Sequence, residues 1–576
     1  MLLVVLVTAV QSLAVASAPT TSAIIGGGPA GLATAVMLAR RGLTDIHVYE
    51  RLPAPASSDD VSVWSDTAKF YLIGLGGRGQ KALQELDAWE RVEECCTYVL
   101  GRKDWAPGAS EDEGVERIFG DDRPYKTAVI PRDRLAGVLR EVLIADYDTA
   151  VTLHYGSEMT GVRWDADGLP VVTVTDENAD GAAAAATAEI KYDLLVGADG
   201  AARTLAAAME MDDATQSLRV TRFEDDNRRV YKTIPMSLPA SSTSTTKWRG
   251  DVNYSARTKD GRVVFDALPA NADGEYCAVL LLKADDEFAQ PDSNAAGLRA
   301  LLDETLPQFS PLISEATLTT VAAKASSNLP AFRYVGPTLH KGASTVLLGD
   351  AIHTVKPYFG LGANSALEDV IALRTALDEH PRDTASALAS FSEARAGEAA
   401  ALVRISRDLD RPGLLGFITF ILPIILDGIF HSILPQVFEK NTIALLQRDG
   451  VTFQGVAQRK RQDRLLQVAT LGTAALAASA LTSGGLRAIA PALAGEGAGF
   501  GAALFLGGFL ALQVSKVWEP GMAPADVIAK TMQPVTDVIS AENRGTTTDE
   551  KDDDGDGDGP PTRPPPFVGK GGLPLL

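Results

Sequence analysis

Cysteine is scarce. Cys95, Cys96 and Cys277 are the 3 in 576 residues. Three thiols cannot build a disulfide framework or a four-cysteine zinc site. The adjacent Cys95-Cys96 pair reads as packing rather than redox chemistry. Histidine is also sparse, with 6 residues and no HExxH or His/Cys cluster at ligand spacing, so no metal is expected. Positive charge is in deficit: Lys plus Arg is 53 against 74 for Asp plus Glu, a formal charge of −21. A chain this acidic is a poor polyanion binder, which argues against nucleic acid as a partner. Internal repeats and a Ser/His/Asp nucleophile set are absent as well.

Hydrophobic residues are abundant, at 46%. At the usual ~100–200 residues per domain the length allows two to four domains. Residues 2–18 are almost wholly apolar and end in Ala16-Ser17-Ala18. The stretch has the look of a signal peptide or anchor, without the usual positive n-region. An extra apolar helix or a gene-model extension stays open. Residues 465–486 and 497–515 carry no charge, and each run approaches the ~20 residues that span a bilayer. Their Ala and Gly content suits close helix contact, and a soluble helix pair is the competing reading. Arg459-Lys460-Arg461 and Arg464 precede the first run, a cytoplasmic-side marker. A third apolar run, 413–438, is interrupted by Pro423, Asp427, His431 and Pro435, and reads as a buried or membrane-surface helix. The acidic, Pro-rich end, 541–576, cannot bury an apolar face and reads as disordered. Gly181 to Ala188 reads as a loop between strands.

Chemistry enters at Ser22-Ala23-Ile24-Ile25, a short buried strand, followed by Gly26-Gly27-Gly28-Pro29-Ala30-Gly31 and a helix from Leu32 to Arg41. Asp45 to Glu50 is the second strand. This is G-x-G-x-x-G between strand and helix, closed by an acid. Gly26 permits the tight turn, Gly28 lets a pyrophosphate approach the backbone, and Gly31 lets the helix sit on the sheet. Glu50 lies about twenty residues beyond Gly31, where a carboxylate binds ribose hydroxyls and disfavours a 2′-phosphate. The dinucleotide held here is therefore FAD or NAD rather than NADP.

Two further strands end in acids. Tyr192 to Gly200 ends in Asp199-Gly200, and Thr345 to Leu348 ends in Gly349-Asp350. An acid at a strand end can bond a ribitol hydroxyl. Pro357-Tyr358-Phe359-Gly360-Leu361-Gly362-Ala363-Asn364 then leads into a helix from Ser365. A Gly-rich turn at a helix start offers N–H groups to an anionic acceptor, as the N1/C2 edge of a reduced flavin would be. His353, after this second acid, reads as structural.

In this order the motifs resemble the class A flavoprotein monooxygenases, the aromatic hydroxylase superfamily, over roughly residues 22–410. The resemblance implies an α/β fold: a Rossmann-type FAD-binding domain with an inserted β-rich substrate domain and a helical, membrane-anchoring C-terminal region. It implies FAD, NADPH and O2, and hydroxylation of a small aromatic substrate through a flavin C4a-hydroperoxide. By the same resemblance Gly26, Gly28, Pro29, Ala30, Gly31, Glu50, Arg51, Arg132, Asp199, Gly349, Asp350, Gly362, Ala363 and Asn364 hold cofactor. Pro357, Gly360 and Asn364 form the catalytic face. One departure touches NADPH handling: Arg203 and Ala206 stand where the superfamily carries a serine and then an arginine.

Within the superfamily the chain resembles the kynurenine 3-monooxygenase family. The shared features are Leu75-Gly76-Gly77-Arg78-Gly79, the Pro357 turn with Glu368-Asp369, and the segments Leu426 to Pro435, Val451-Thr452-Phe453 and Val456 to Arg459. That likeness implies substrate contacts at Arg102, Phe119 and Asn364, with Arg102 on an amino-acid carboxylate. Phe119 replaces a tyrosine, and a tyrosine expected near Leu409 is missing. Two lost hydroxyls at ~1–3 kcal/mol each could redirect specificity. A phenolic, polyketide or isoprenoid substrate, or a membrane-tethered flavoprotein without hydroxylase activity, are the alternatives.

The expected domains are an apolar N-terminal segment (1–21), the FAD domain in two parts (22–212 and 335–400) and a β-rich substrate domain (213–334). A helical domain (401–464), the membrane segment (465–515) and a tail (516–576) follow. The resemblance places the catalytic domain cytosol-facing, on a mitochondrial outer or ER membrane.

Overall fold

The structure is a computed structural model. It describes residues 19–485 except 65, 67–70, 121–124, 177–185, 216, 225–226, 240–247, 447 and 449; from residue 474 only the backbone is described. The expected segment 2–18, the run 497–515 and the tail lie outside the described residues. The chain forms two compact units that divide after Asp410.

In the first unit, Ser22–Ile25 is wholly buried and forms the centre of a six-stranded sheet. It pairs in parallel with Ile46–Glu50 on one side and Leu194–Gly197 on the other. Thr345–Leu347 lies next to the latter, also parallel. Parallel strands buried on both faces read as unbroken apolar runs, which is why Ser22–Ile25 and Leu194–Gly197 were visible in the sequence. Pro29–Arg40 packs against the sheet, and Leu361–Glu379 packs against Pro29–Arg40. The acids Glu50, Asp199 and Asp350 therefore gather at the C-terminal ends of neighbouring strands, where ligands bind in open α/β sheets.

A seven-stranded sheet is the largest in this unit. Its strands run in the order Ser327–Asn328, Arg229–Ser237, Glu275–Lys283, Val264–Pro269, Val252–Arg257, Gly101–Trp105, Val115–Ile118. Alternation buries Val230, Ile234, Phe265, Ala278 and Leu280 against the Ala295–Thr305 and Glu315–Ala323 helices. Tyr231, Cys277 and Leu268 take the opposite face. The expected β-rich insert is thus larger than 213–334, because Gly101–Trp105 joins it by parallel pairing to Val252–Arg257. Gly181 to Ala188 is not all loop: Ala186–Lys191 is a strand. Thr384–Asp408 is one helix that crosses residue 400.

The second unit contains a continuous helical run, Gly413–Ile433, and the long helix Phe453–Gly485. The former is long and apolar enough to cross a membrane. Leu414, Phe417, Ile425, Ile429 and Ile433 are exposed on it. Asp427, which interrupts the apolar run, is fully buried and bound by Arg464 through two bonds of 2.6 and 2.7 Å.

Candidate active site

The Gly26 turn needs its glycines for space. Gly26 has φ +108°, and a Cβ there would overlap the Ala198 carbonyl. A Cβ on Gly31 would overlap the Gly26 carbonyl oxygen. A Cβ on Gly28 would instead meet Arg132 Nη2 at 3.4 Å, so this glycine opens a cradle beneath a guanidinium. The Pro29–Arg40 helix begins there with no side-chain cap, which leaves its N–H groups for a ligand. Pro29 and Ala30 form its half-buried first turn. Glu50 Oε2 accepts the Gly27 N–H at 2.8 Å and Oε1 accepts the Leu52 N–H at 2.9 Å. Each oxygen keeps a lone pair for a ribose. Arg51 is exposed on the bend just beyond.

Asp350 lies deep but keeps an open face. Its carboxylate makes no hydrogen bond to any described residue. Burial pushes this carboxyl up from the usual range, opposed by the charges of His353, Arg203 and Arg132. Asp199 accepts the Leu205 N–H at 3.1 Å on one oxygen, while the other is buried without a partner. Its carboxyl is also raised, by burial, against nearby N–H groups and Arg203. Gly349, at φ +64°, fits between Ala30 and Ala366, one from each helix.

The Pro357–Phe359 turn ends at Gly360, φ +62°, and the Leu361–Glu379 helix starts there, again without a side-chain cap. A Cβ on Gly362 would sit 3.9 Å from Asp350, and Ala363 follows it, half-buried. Asn364 is buried and its amide is fully engaged. It accepts the Gly76 N–H at 2.8 Å and donates to the Gly74 and Gly360 carbonyls at 2.9 and 2.5 Å. It clamps the Leu72–Leu75 strand to the Gly360 turn.

The two expected substrate contacts beyond Asn364 lie on or beside the seven-stranded sheet. Phe119 packs beside Leu72, Val99, Val129 and Cys277. Arg102 is exposed, and its guanidinium is held by Asp104 at 2.6 and 3.0 Å.

Several residues were given no site role in the sequence reading. Asp369, wholly buried, accepts from Gly349 N–H at 2.9 Å and His353 at 2.8 Å, and is paired with Arg395 at 2.6 Å. Burial opposes its charge, but Arg395 and His353 prevail and hold the carboxyl below the usual range. An acid among Leu367, Val370 and Leu373 on a buried helix face was the available signal. Arg203, buried at φ +54°, donates to the Ala351 carbonyl at 3.0 Å and to Thr354. Behind the Pro357 turn, Lys356 Nζ meets Asp410 at 2.6 Å and the Asn227 carbonyl at 2.7 Å. Cys95 and Cys96 are free thiols, and burial pushes Cys96 up to about 12.

Two uncapped helix starts, a guanidinium above a glycine cradle and two unsatisfied acids fit a dinucleotide that has both a pyrophosphate and a polyhydroxyl chain. A family model described as FAD binding domain matches residues 19–406. The chain belongs to the class A FAD-dependent aromatic monooxygenases. A kynurenine 3-monooxygenase of Salinispora arenicola is 27% identical over 482 residues, 81% of this chain and 96% of that one. Violacein synthase of Chromobacterium violaceum is 25% identical over 386 residues, 67% and 83% of the two chains. Among solved structures, 2-methyl-3-hydroxypyridine-5-carboxylic acid oxygenase shares the fold. Its TM-score is 0.52 at 16% identity, covering 69% of this chain and 96% of that one.

Proposed function

We propose that this monooxygenase uses NADPH to reduce FAD and hydroxylates a small aromatic substrate, with kynurenine 3-hydroxylation as the leading reading. The observation that carries the cofactor side is the unsatisfied Asp350 beside the uncapped Leu361–Glu379 helix. Support for kynurenine is the likeness to the Salinispora enzyme along 96% of its length. Bound FAD would supply the oxygen activation, which no protein side chain provides.

The chain's own residues hold and shield. Arg132 and the Pro29–Arg40 helix start would neutralise the pyrophosphate, and Glu50 would receive the ribose. Asp350 would accept from the ribitol. The N–H groups of the Leu361–Glu379 helix start favour negative charge on the flavin edge. The apolar patch of Leu72, Val99, Val129, Phe119 and Cys277 keeps water from the reacting ring.

A second reading, another aromatic substrate, is favoured by one contact. Arg102 is committed to Asp104, so an amino-acid carboxylate must displace a carboxylate already in place. NADPH consumption with and without L-kynurenine, with product mass read in parallel, separates the two. Stimulation with a product one oxygen heavier supports kynurenine. FAD retention without stimulation rejects it and favours another substrate.

We also propose that the second unit holds the protein at a membrane through the exposed apolar side of Gly413–Ile433, the catalytic unit facing the NADPH-bearing cytosol. The burial of Asp427 against Arg464 supports this, because it removes the charge that would oppose lipid contact.

A further inference from the structure

Lysine is almost never fully buried unless it is paired, and Lys356 is buried at the last position before the Pro357–Phe359 turn. Its ammonium donates to Asp410 Oδ2 at 2.6 Å and to the Asn227 carbonyl at 2.7 Å. It also lies 5.3 Å from the centre of the Phe332 ring. The Asn227 side-chain amide donates to Asp410 Oδ1 at 3.0 Å and to the Asp410 carbonyl at 3.3 Å. The Lys356 and Asp410 side chains are 1% and 6% exposed, so water hardly competes for these bonds.

Three distant stretches of chain meet in this cluster. Lys356 opens the turn that ends at Gly360 and the uncapped Leu361–Glu379 helix start. Asn227 lies just before the Arg229–Ser237 strand of the seven-stranded sheet. Asp410 follows the Thr384–Asp408 helix, which packs on Leu361–Glu379. A gain in stability does not account for the pair, because apolar side chains of similar volume are often as stable in such a place. What an apolar pair lacks is direction. The hydrogen bonds fix the point at which the chain enters the turn. Elsewhere the sheet reaches the turn only through the Leu72–Leu75 strand, where Cys277 packs with Leu72 and Asn364 bonds the Gly74 and Gly360 carbonyls.

We infer that Lys356 is a positioning residue: through Asp410 and Asn227 it fixes the Pro357–Gly360 turn against the seven-stranded sheet, so that the Leu361–Glu379 helix start meets the flavin in one alignment. The inference rests on the FAD monooxygenase reading above and goes beyond it. It makes the alignment of the site depend on a buried ion pair to which no cofactor or substrate contact is assigned.

The test uses the full-length, FAD-loaded protein. The double variant Lys356→Met with Asp410→Leu leaves neither charge buried alone and keeps the net charge constant. Flavin content and Tm are the folding controls. The visible circular dichroism of the bound flavin and its midpoint potential are read without substrate. Expected are an altered dichroism and a lower potential, because N–H groups that no longer aim at the flavin edge stabilise its reduced, anionic form less. With net charge constant, the shift reads alignment. Lys356→Arg, which keeps a donor for Asp410, should return both signals toward the parent. With L-kynurenine as substrate, kcat for product should fall by up to about 100-fold while KM changes less. NADPH consumed without product should then appear as H2O2 formed from O2. A flavin-replete double variant with parental dichroism and potential overturns the inference, whether or not its Tm has fallen. If the double variant holds no flavin, Asn227→Ala, which removes the amide bonds to Asp410 and leaves the ion pair, decides by the same two signals: a smaller shift in the same sense supports the inference and none overturns it. A parent that binds FAD without stimulation by L-kynurenine rejects the kynurenine reading, and the flavin signals still decide this one. A parent that binds no FAD overturns both.

Discussion

Asp369→Asn should be the most informative single change in the catalytic unit. The carboxylate is wholly buried and serves Arg395, His353 and the Gly349 N–H. An amide keeps one acceptor and turns a donor toward a group that is itself a donor. Arg395, 7% exposed, would retain Glu368 at 3.2 Å and the nearby charge of Glu398. Breaking a buried ion pair from one side costs ~3–5 kcal/mol. With an unfolding entropy of ~2.1 cal/mol/K per residue over roughly 390 residues, that is a Tm loss of about 4–6 °C. Scanning calorimetry of FAD-stripped and FAD-loaded protein reads it, and flavin absorbance reads the displacement of Gly349 and Asp350. The pH dependence has a definite sign. Asp369's folded carboxyl is lowered, so its stabilisation is present above the unfolded value near ~3.9 and is lost as pH falls through the folded one. The gap between parent and variant should hold from neutral pH down to about 5 and close under stronger acid. A Tm change below ~1 °C in both forms would refute the reasoning.

Asp350→Asn should act in the opposite sense. Its folded carboxyl is raised by burial, so its stabilisation is present below the unfolded value and lost as pH rises through the folded one. The FAD-stripped variant should therefore melt higher than the parent at pH 7 while binding FAD about 10–100-fold more weakly, the worth of a charged hydrogen bond; a lower Tm together with parental FAD affinity would contradict both halves. For the membrane proposal, Ile425→Glu with Ile429→Glu in the full chain should cut co-flotation with anionic phospholipid vesicles by at least about tenfold, since each buried isoleucine contributes ~2 kcal/mol. Unchanged flotation would remove this helix from the contact.

What could be read in the sequence was local. The Gly26 to Glu50 unit was legible because strand, turn, helix and acid follow within one βαβ segment, and the structure assembles them in that order. Asp199 and Asp350 were legible because each ends an unbroken apolar strand. Pairing across long separations was not. Gly101–Trp105 has no local mark that sends it to Val252–Arg257. Arg102 and Asp104 did carry a signal: opposite charges two apart on a strand share one face, and they pair there. Asp427 looked like an interruption because its partner, Arg464, lies far along the chain.

The acids of the site divide by how well the fold satisfies them, and the division tracks their role. Asp369 is met on every side by protein, and its charge is stabilised where it lies. Asp350 has no side-chain hydrogen bond among the described residues, and one Asp199 oxygen has none there either, so burial makes their charges costly. The Gly349 N–H, one residue from Asp350, is tied to Asp369. The satisfied acid thus holds the unsatisfied one in place, and the cost at Asp350 is offset in part by the charges of His353, Arg203 and Arg132. The sequence presents these acids as equivalent letters in three short motifs. Their difference comes from Arg395 and His353, which hydrogen-bond Asp369, while His353 reaches Asp350 by its charge alone.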